Sequence, residues 1–189
     1  MCVYVEKTPP DQKYKCYHSV VIAMEGVVVD LRVQDIRFPT SLEADGSDAI
    51  HPDPDYSACY VTLTTDNGYN GYGLAFTLGR GNEIVCHCID SLRFLVIGVK
   101  LRVDNDLSKQ SIIHFTLQDV FDNMGKWLYK VNNEGQLRWL GPEKGVIGMA
   151  VAAIVNSLWD LRSRIEGKPL WKLLVDFSPE EIIKLIDFT

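Results

Sequence analysis

The chain has 189 residues, 47% hydrophobic and 23% charged, enough for one sizeable globular core with room for a flanking piece. Lys plus Arg number 19 against 25 Asp plus Glu, a net charge of −6, which argues against a phosphate-backbone partner, so no nucleic acid is expected. No apolar run reads as the ~18 uninterrupted residues of a bilayer-spanning helix, and no membrane is expected. Cys2, Cys16, Cys59, Cys86 and Cys88 are odd in number, with no spacing of a disulfide framework, and point to a reducing compartment. "MCVYVEKTPPDQKYKCY" has no secretory apolar stretch and no Arg. The location expected from composition is therefore intracellular, with the cytoplasm as default.

Residues 1–18 are polar and carry Pro9-Pro10, so a flexible N-terminal arm is expected there, with one domain over 19–189. Val20 to Arg37 reads as a strand, its β-branched residues partly alternating with polar ones. A long acidic connection follows, "RFPTSLEADGSDAIHPDPDY". Connections of this length without periodicity are uncommon and are either functional or disordered. "YSACYVTLTTDNGYNGYGLAFTLG" then supplies two more strands around an Asn67-Gly68 turn. The fold class expected is α+β: a three-stranded antiparallel β-meander covered on one face by a helical array.

The array begins with "NEIVCHCIDSLRFLVIG", where Asn82 is the expected N-cap and apolar residues recur at a helical period. "LQDVFDNMGKWLYKV" is the second helix, with Val120, Phe121, Met124, Trp127 and Leu128 on one side. The third spans "GPEKGVIGMAVAAIVNSLWDLRSRIEGKP", with Pro142 near its first turn and Gly167 as the residue that ends it. Small residues along its stripe, Ala150, Ala153 and Ser157, predict the close approach of a neighbouring helix. "PLWKLL" and "SPEEIIKLI" are shorter helices, the latter opening with Ser178 and Glu181 at capping-box spacing. Lys100 to Thr116 fits no element.

No self-contained catalytic set emerges. Asp45, Asp48, Asp53 and Asp55 offer oxygens for a calcium ion, but their spacing is not that of an EF-hand and two prolines stiffen the middle. A solvated, turn-rich surface loop is the competing reading. Cys86-His87-Cys88 falls on a helix, where residues two apart diverge. His18, His51 and His114 have no nucleophile beside them. "GYGLAFTLGRG" lacks a phosphate-loop lysine, so its glycines belong to strand and turn. Arg138, Trp139 and Lys144 surround a helix start, either as an anion site or as a tight loop packed by Trp139.

The segments "AAIVNSLWDLRSRIEGKPLWKLL", "DIRFPTSLEADGSDAIHPDPDYSACYV", "GYGLAFTLGRGNE" and "QLRWLGPEKGV" together resemble the N-terminal capping domain of the enolase superfamily. The branch is that of mandelate racemase and muconate lactonizing enzymes, and within it the L-fuconate dehydratase group, including its mitochondrial enolase-superfamily members. The resemblance covers roughly 35–97 and 118–188. It implies an enolase N-terminal-like fold and a magnesium-dependent hydro-lyase chemistry that abstracts the proton beside a carboxylate and expels the β-hydroxyl. L-fuconate would become 2-keto-3-deoxy-L-fuconate.

In that family the magnesium ligands and catalytic groups sit on a following (β/α) barrel, which is expected to be absent here. No catalytic or metal-ligating residue is therefore assigned, no cofactor is expected for this chain alone, and the chain alone is expected to be inactive. The resemblance gives the cap's own substrate contacts to Gly46, Ser47, Asp48 and Tyr56. Against that family the segment near 102–116 reads as an insertion, and the resemblance adds the mitochondrion as an alternative location. The expected partners are a small sugar acid, reached only with a barrel, and then a barrel domain or a second copy. The alternative is a non-enzymatic interaction module that binds a separately encoded barrel.

Overall fold

Alternation of β-branched and polar residues produces the three long strands. The computed structural model describes residues 26–97, 100–101, 120–121, 124–141 and 145–186. In it β1 (Gly26–Arg37), β2 (Ser57–Thr65) and β3 (Asn70–Thr77) form the expected antiparallel meander. Every second residue of β2 from Ser57 to Thr65 is buried, the period of a strand with one face on a core. At the hairpin Gly68 takes φ 88°, and Thr65 N–H donates to Tyr69 O at 2.9 Å. A further strand, β4 (Lys100–Leu101), pairs with Gly26 and Val27. The sheet order is β3-β2-β1-β4, one short strand more than the sequence predicts, because a two-residue strand has no periodicity to read. The arm 1–18 and the segment 102–116 lie outside the described residues.

The helices are α1 (Asn82–Ser91), α2 (Met124–Asn132), α3 (Val146–Ile165), α4 (Leu170–Val175) and α5 (Pro179–Lys184). Two of the expected boundaries are corrected. Gly81, at φ 96°, occupies the N-cap of α1, and Asn82 is instead a fully buried first helical residue. Its amide is consumed by tertiary hydrogen bonds. α3 starts at Val146, with Gly145 as its N-cap, later than the sequence predicts; Pro142 lies outside the described residues. The C-terminal reading holds: Gly167 has φ 62°, with Lys168 N–H on Ser163 O and Gly167 N–H on Arg164 O, the Schellman pairing. The capping box of Ser178 and Glu181 is also formed.

α3 is long and apolar enough to cross a membrane by length and composition, a property the sequence reading passed over. Its stripe is buried against the sheet, which makes it the core helix of this domain. Ile147, Ile154, Leu158 and Leu161 of α3 are fully buried or nearly so, together with Leu31, Val61, Leu63, Ile89, Trp127 and Val131. Each such side chain contributes ~1.5–3 kcal/mol relative to exposure.

Helix α1 packs against α3, and strand β3 comes closer still, with its backbone on the small residues of α3. A Cβ built on Gly71 falls 2.2 Å from Ser157 O, and one built on Gly73 falls 2.2 Å from Ala153 O. The strand backbone thus lies directly on the helix backbone. Asp160 of α3 completes the junction by accepting the Tyr72 N–H at 2.9 Å, covering a donor on the edge strand.

Candidate functional site

The connection between β1 and β2 is ordered by its own hydrogen bonds. Register pairs Arg37 with Ser57 at the end of the ladder, and Phe38 N–H donates to Tyr56 O at 2.9 Å just beyond it. The Thr40 hydroxyl donates to Pro54 O at 2.7 Å and accepts from Tyr56 N–H at 2.9 Å, a double use that only a hydroxyl permits. Asp55 Oδ1 accepts from both the hydroxyl (2.6 Å) and the N–H (3.2 Å) of Ser41. These donors hold the Asp55 carboxyl below its usual range. Together they close the neck of the loop across 14 to 16 residues of chain.

Above the neck the chain turns through a 3-10 segment, Thr40–Glu43, and reverses through Ala44 at φ 56°. Gly46 follows at φ 72°, and a Cβ there would lie 1.9 Å from Tyr56 Oη. Both conformation and space demand glycine. The Tyr56 ring is fixed edge-on to Phe76, centroids 5.2 Å apart. The Ser47 hydroxyl donates to Ala44 O at 2.7 Å. Asp48 Oδ1 accepts from the N–H groups of Ile50 and His51, each at 2.7 Å, and its carboxylate faces His51 Nδ1 at 3.1 Å. The His51 N–H, then the Ile50 N–H, hold the Asp48 carboxyl below its ordinary value. Of the substrate contacts implied by resemblance, Gly46 and Tyr56 therefore touch, while Ser47 and Asp48 shape the adjoining turn. Leu42 and Ile50 are 81% and 82% exposed on the same loop.

Beneath the neck lies a polar cluster that sequence reading missed. Arg37 makes a two-pronged pair with Asp35 at 2.7 and 2.9 Å and also bonds Glu83 at the start of α1. This partnership lowers the Asp35 carboxyl and raises the guanidinium. Asn82 donates to Asp35 Oδ1 at 2.6 Å, while its Oδ1 accepts from the Thr77 hydroxyl (2.7 Å) and the Cys59 thiol (3.0 Å). Asp35 and Arg37 are two apart on a strand and so share a face. That was the one signal available, since Asn82 and Glu83 reach them only through the fold.

Other sequence candidates resolve plainly. Cys88 is buried, Cys86 half-buried and His87 exposed, the helix-core and surface reading. Trp139 is 79% exposed and packs no tight loop, and Lys144 lies outside the described residues. The donor set does not fit a divalent cation: among the described residues no group of three or more His, Cys, Asp or Glu converges on one point. Asp48 and Asp55 spend oxygens on loop N–H and O–H groups.

Residues 49–175 match the family profile described as "Mandelate racemase / muconate lactonizing enzyme, N-terminal domain". Tyr56 lies inside that match, and Gly46, Ser47 and Asp48 lie just before it. The chain is 44% identical over 165 residues to mitochondrial enolase superfamily member 1 of Xenopus laevis, covering 86% of this chain and 34% of that one. The solved human protein of that name superposes with a TM-score of 0.75 at 42% identity, over 87% of this chain and 34% of that one. An L-galactonate dehydratase of Hypocrea jecorina is 42% identical over 165 residues, 87% of this chain and 33% of that one. At the level of fold alone, the L-talarate dehydratase of Polaromonas sp. JS666, solved with Mg and L-glucarate, matches with a TM-score of 0.54 at 17% identity, covering 81% of this chain and 33% of that one. The chain thus spans about a third of the length of the curated relatives it matches. With its meander, α3 packed on β3 and a family match over more than half its length, the chain belongs to the mandelate racemase/muconate lactonizing enzyme family of the enolase superfamily and carries that family's N-terminal domain.

Proposed function

We propose that this chain is the capping and substrate-loop domain of a sugar-acid dehydratase acting on L-fuconate, with Gly46, Ser47, Asp48 and Tyr56 as its contacts to the substrate. The observation that carries this reading is the latched loop of 38–56. Its neck is closed by Thr40 and Asp55, and Gly46 is seated on Tyr56, so its shape is set by its own contacts, and preorganisation lowers the cost of binding. The name of the Hypocrea jecorina relative supports the substrate class. L-fuconate is L-galactonate without its 6-hydroxyl, and the two present the same C2 proton and C3 hydroxyl to a dehydratase.

In this reading, the backbone N–H groups and Ser47 pair with substrate hydroxyls, and Asp48 presents its carboxylate to them. The exposed Leu42 and Ile50 exclude water as the loop closes over the acid. Magnesium and the acid–base groups belong to the length of the relatives that this chain does not span, and the chain alone is inactive. The mitochondrial location of the whole enzyme is supported by the names of the relatives. A second reading, a module that binds a separately encoded barrel, is favoured by one feature. Trp171, Val175 and Ile183 of α4 and α5 are 66%, 71% and 56% exposed, an apolar surface suited to a protein partner.

The test exchanges the cap of the Hypocrea jecorina dehydratase for residues 19–189 of this chain. The chimera is expected to release 2-keto acid from L-galactonate or L-fuconate in a magnesium-dependent manner. Tyr56→Phe and Asp48→Asn, the latter keeping the turn's acceptor, each lower kcat/KM by ~10–100-fold, the worth of a charge-assisted hydrogen bond. Variants that match the parent chimera refute the assigned contacts. Magnesium-dependent turnover by the 189-residue chain itself refutes its inactivity.

A further inference from the structure

We propose that Cys59 and Cys86 are a site of reversible oxidation, closing to a disulfide that joins β2 to α1 beneath the neck of the loop. The residues are 27 apart in sequence, yet the Cys86 thiol donates to Cys59 Sγ across only 3.0 Å. Both are free thiols. A disulfide requires about 2.05 Å between sulphurs, so closure takes ~1 Å of approach. The Cys59 proton is turned away, toward Asn82 O and Oδ1 at 3.0 Å each, which leaves the Cys59 sulphur facing its neighbour. Cys88, two residues on in the same helix, points elsewhere and is buried.

The order of events follows from access. Cys59 is fully buried and Cys86 half-buried, so a peroxide meets Cys86 first. The Cys86 thiolate attacks one peroxide oxygen and the O–O bond breaks, giving a sulfenic acid and hydroxide, which takes up the thiol's proton as water. The Cys59 sulphur then attacks the Cys86 sulphur, the S–O bond breaks and water leaves with the Cys59 proton. Two thiols are oxidised and one peroxide is reduced to two waters. Burial raises both thiols and keeps them protonated near neutrality, so the attack on peroxide is slow there and quickens as pH rises and the Cys86 thiolate fraction grows. Closure withdraws the Cys59 S–H from Asn82, the residue that anchors Asp35 and through it Arg37 at the loop's root.

The full chain is treated with hydrogen peroxide, quenched with N-ethylmaleimide and digested for peptide mass mapping. A linked Cys59–Cys86 peptide is expected that dithiothreitol reverses, forming faster as pH rises, by up to ~tenfold per unit while the thiols are mostly protonated. Cys86→Ser and Cys59→Ala, with melting curves recorded to confirm folding, should each abolish it. The proposal is overturned if the folded wild-type chain yields only over-oxidised Cys86, or if the link that forms uses Cys2, Cys16 or Cys88. Because the readout is a peptide link, it is independent of sugar-acid turnover.

Discussion

Replacing Gly73 by Ala tests the packing on which the domain depends. The added Cβ would stand 2.2 Å from Ala153 O, 2.6 Å from Ser157 N and 3.1 Å from Asn156 Cβ. Two of these three are backbone atoms of α3, so no rotamer change relieves the overlap. Restoring ordinary contact requires the helix to withdraw by about 1.2 Å, and gaps of 0.5–1 Å already forfeit about a quarter to a half of each dispersion contact. Ile154, Leu158 and Leu161 all leave the sheet together in that movement. Partial relaxation keeps the cost near the upper end of overpacking, about 3 kcal/mol, or a melting temperature lower by about 6–12 °C for a chain of this size.

Two controls separate space from backbone strain. Gly68 has nothing within 4 Å but φ 88°, so Gly68→Ala costs ~1 kcal/mol from conformation alone. Gly135 has open space and no positive φ, so Gly135→Ala is neutral or stabilising by up to ~1 kcal/mol. Thermal or urea unfolding of the three variants measures the order. If Gly73→Ala melts within about 1 °C of wild type, the strand is not seated on the helix backbone and the reasoning fails.

Arg162 stacks its guanidinium on Phe121 at 4.7 Å and Phe177 at 5.0 Å while pairing with Glu166 at 2.9 Å. A compact ammonium cannot do both, so Arg162→Lys costs about 1–2 kcal/mol in urea unfolding, and an unchanged midpoint contradicts this. Asp48 and Asp55 have depressed carboxyls in the folded loop. Their contribution is therefore complete above the ordinary carboxylate range near pH ~4 and is lost as pH falls through the depressed values. Amide exchange at Ser41, Ile50 and His51, corrected for intrinsic rate, should accelerate in that acid window and stay flat above it. Asn82→Asp sets a buried carboxyl against Asp35 and removes the donor at 2.6 Å. The new group's folded value is raised, so stability falls as pH rises, and unfolding at neutral pH is easier than at pH ~5 by at least ~1 kcal/mol. Equal stability at both pH values counts against the cluster.

The sequence by itself determined the features whose chemistry is local. Val61 and Leu63 alternating with Thr62 and Thr64 marked β2, because a strand's side chains switch faces at every residue. Gly167 and the Ser178–Glu181 box marked helix ends, because a positive φ and unpaired N–H groups are met within a few residues. The length and acidity of the 38–56 connection left it either functional or a solvated surface loop, and the family resemblance named residues in it.

Tertiary structure alone decided the rest. Whether that loop was slack or built was settled by Thr40 reaching Pro54 and Ser41 reaching Asp55, pairs that no local period encodes. The small residues of α3 and the glycines of β3 were each visible, but their meeting depended on how the helix crosses the sheet. Asp35, Arg37, Asn82, Cys59 and Cys86 come from two strands and a helix, and only the registry of those elements makes them neighbours. Periodicity says which face of an element is buried. Which partner that face meets, and at what distance, is a property of the assembled chain.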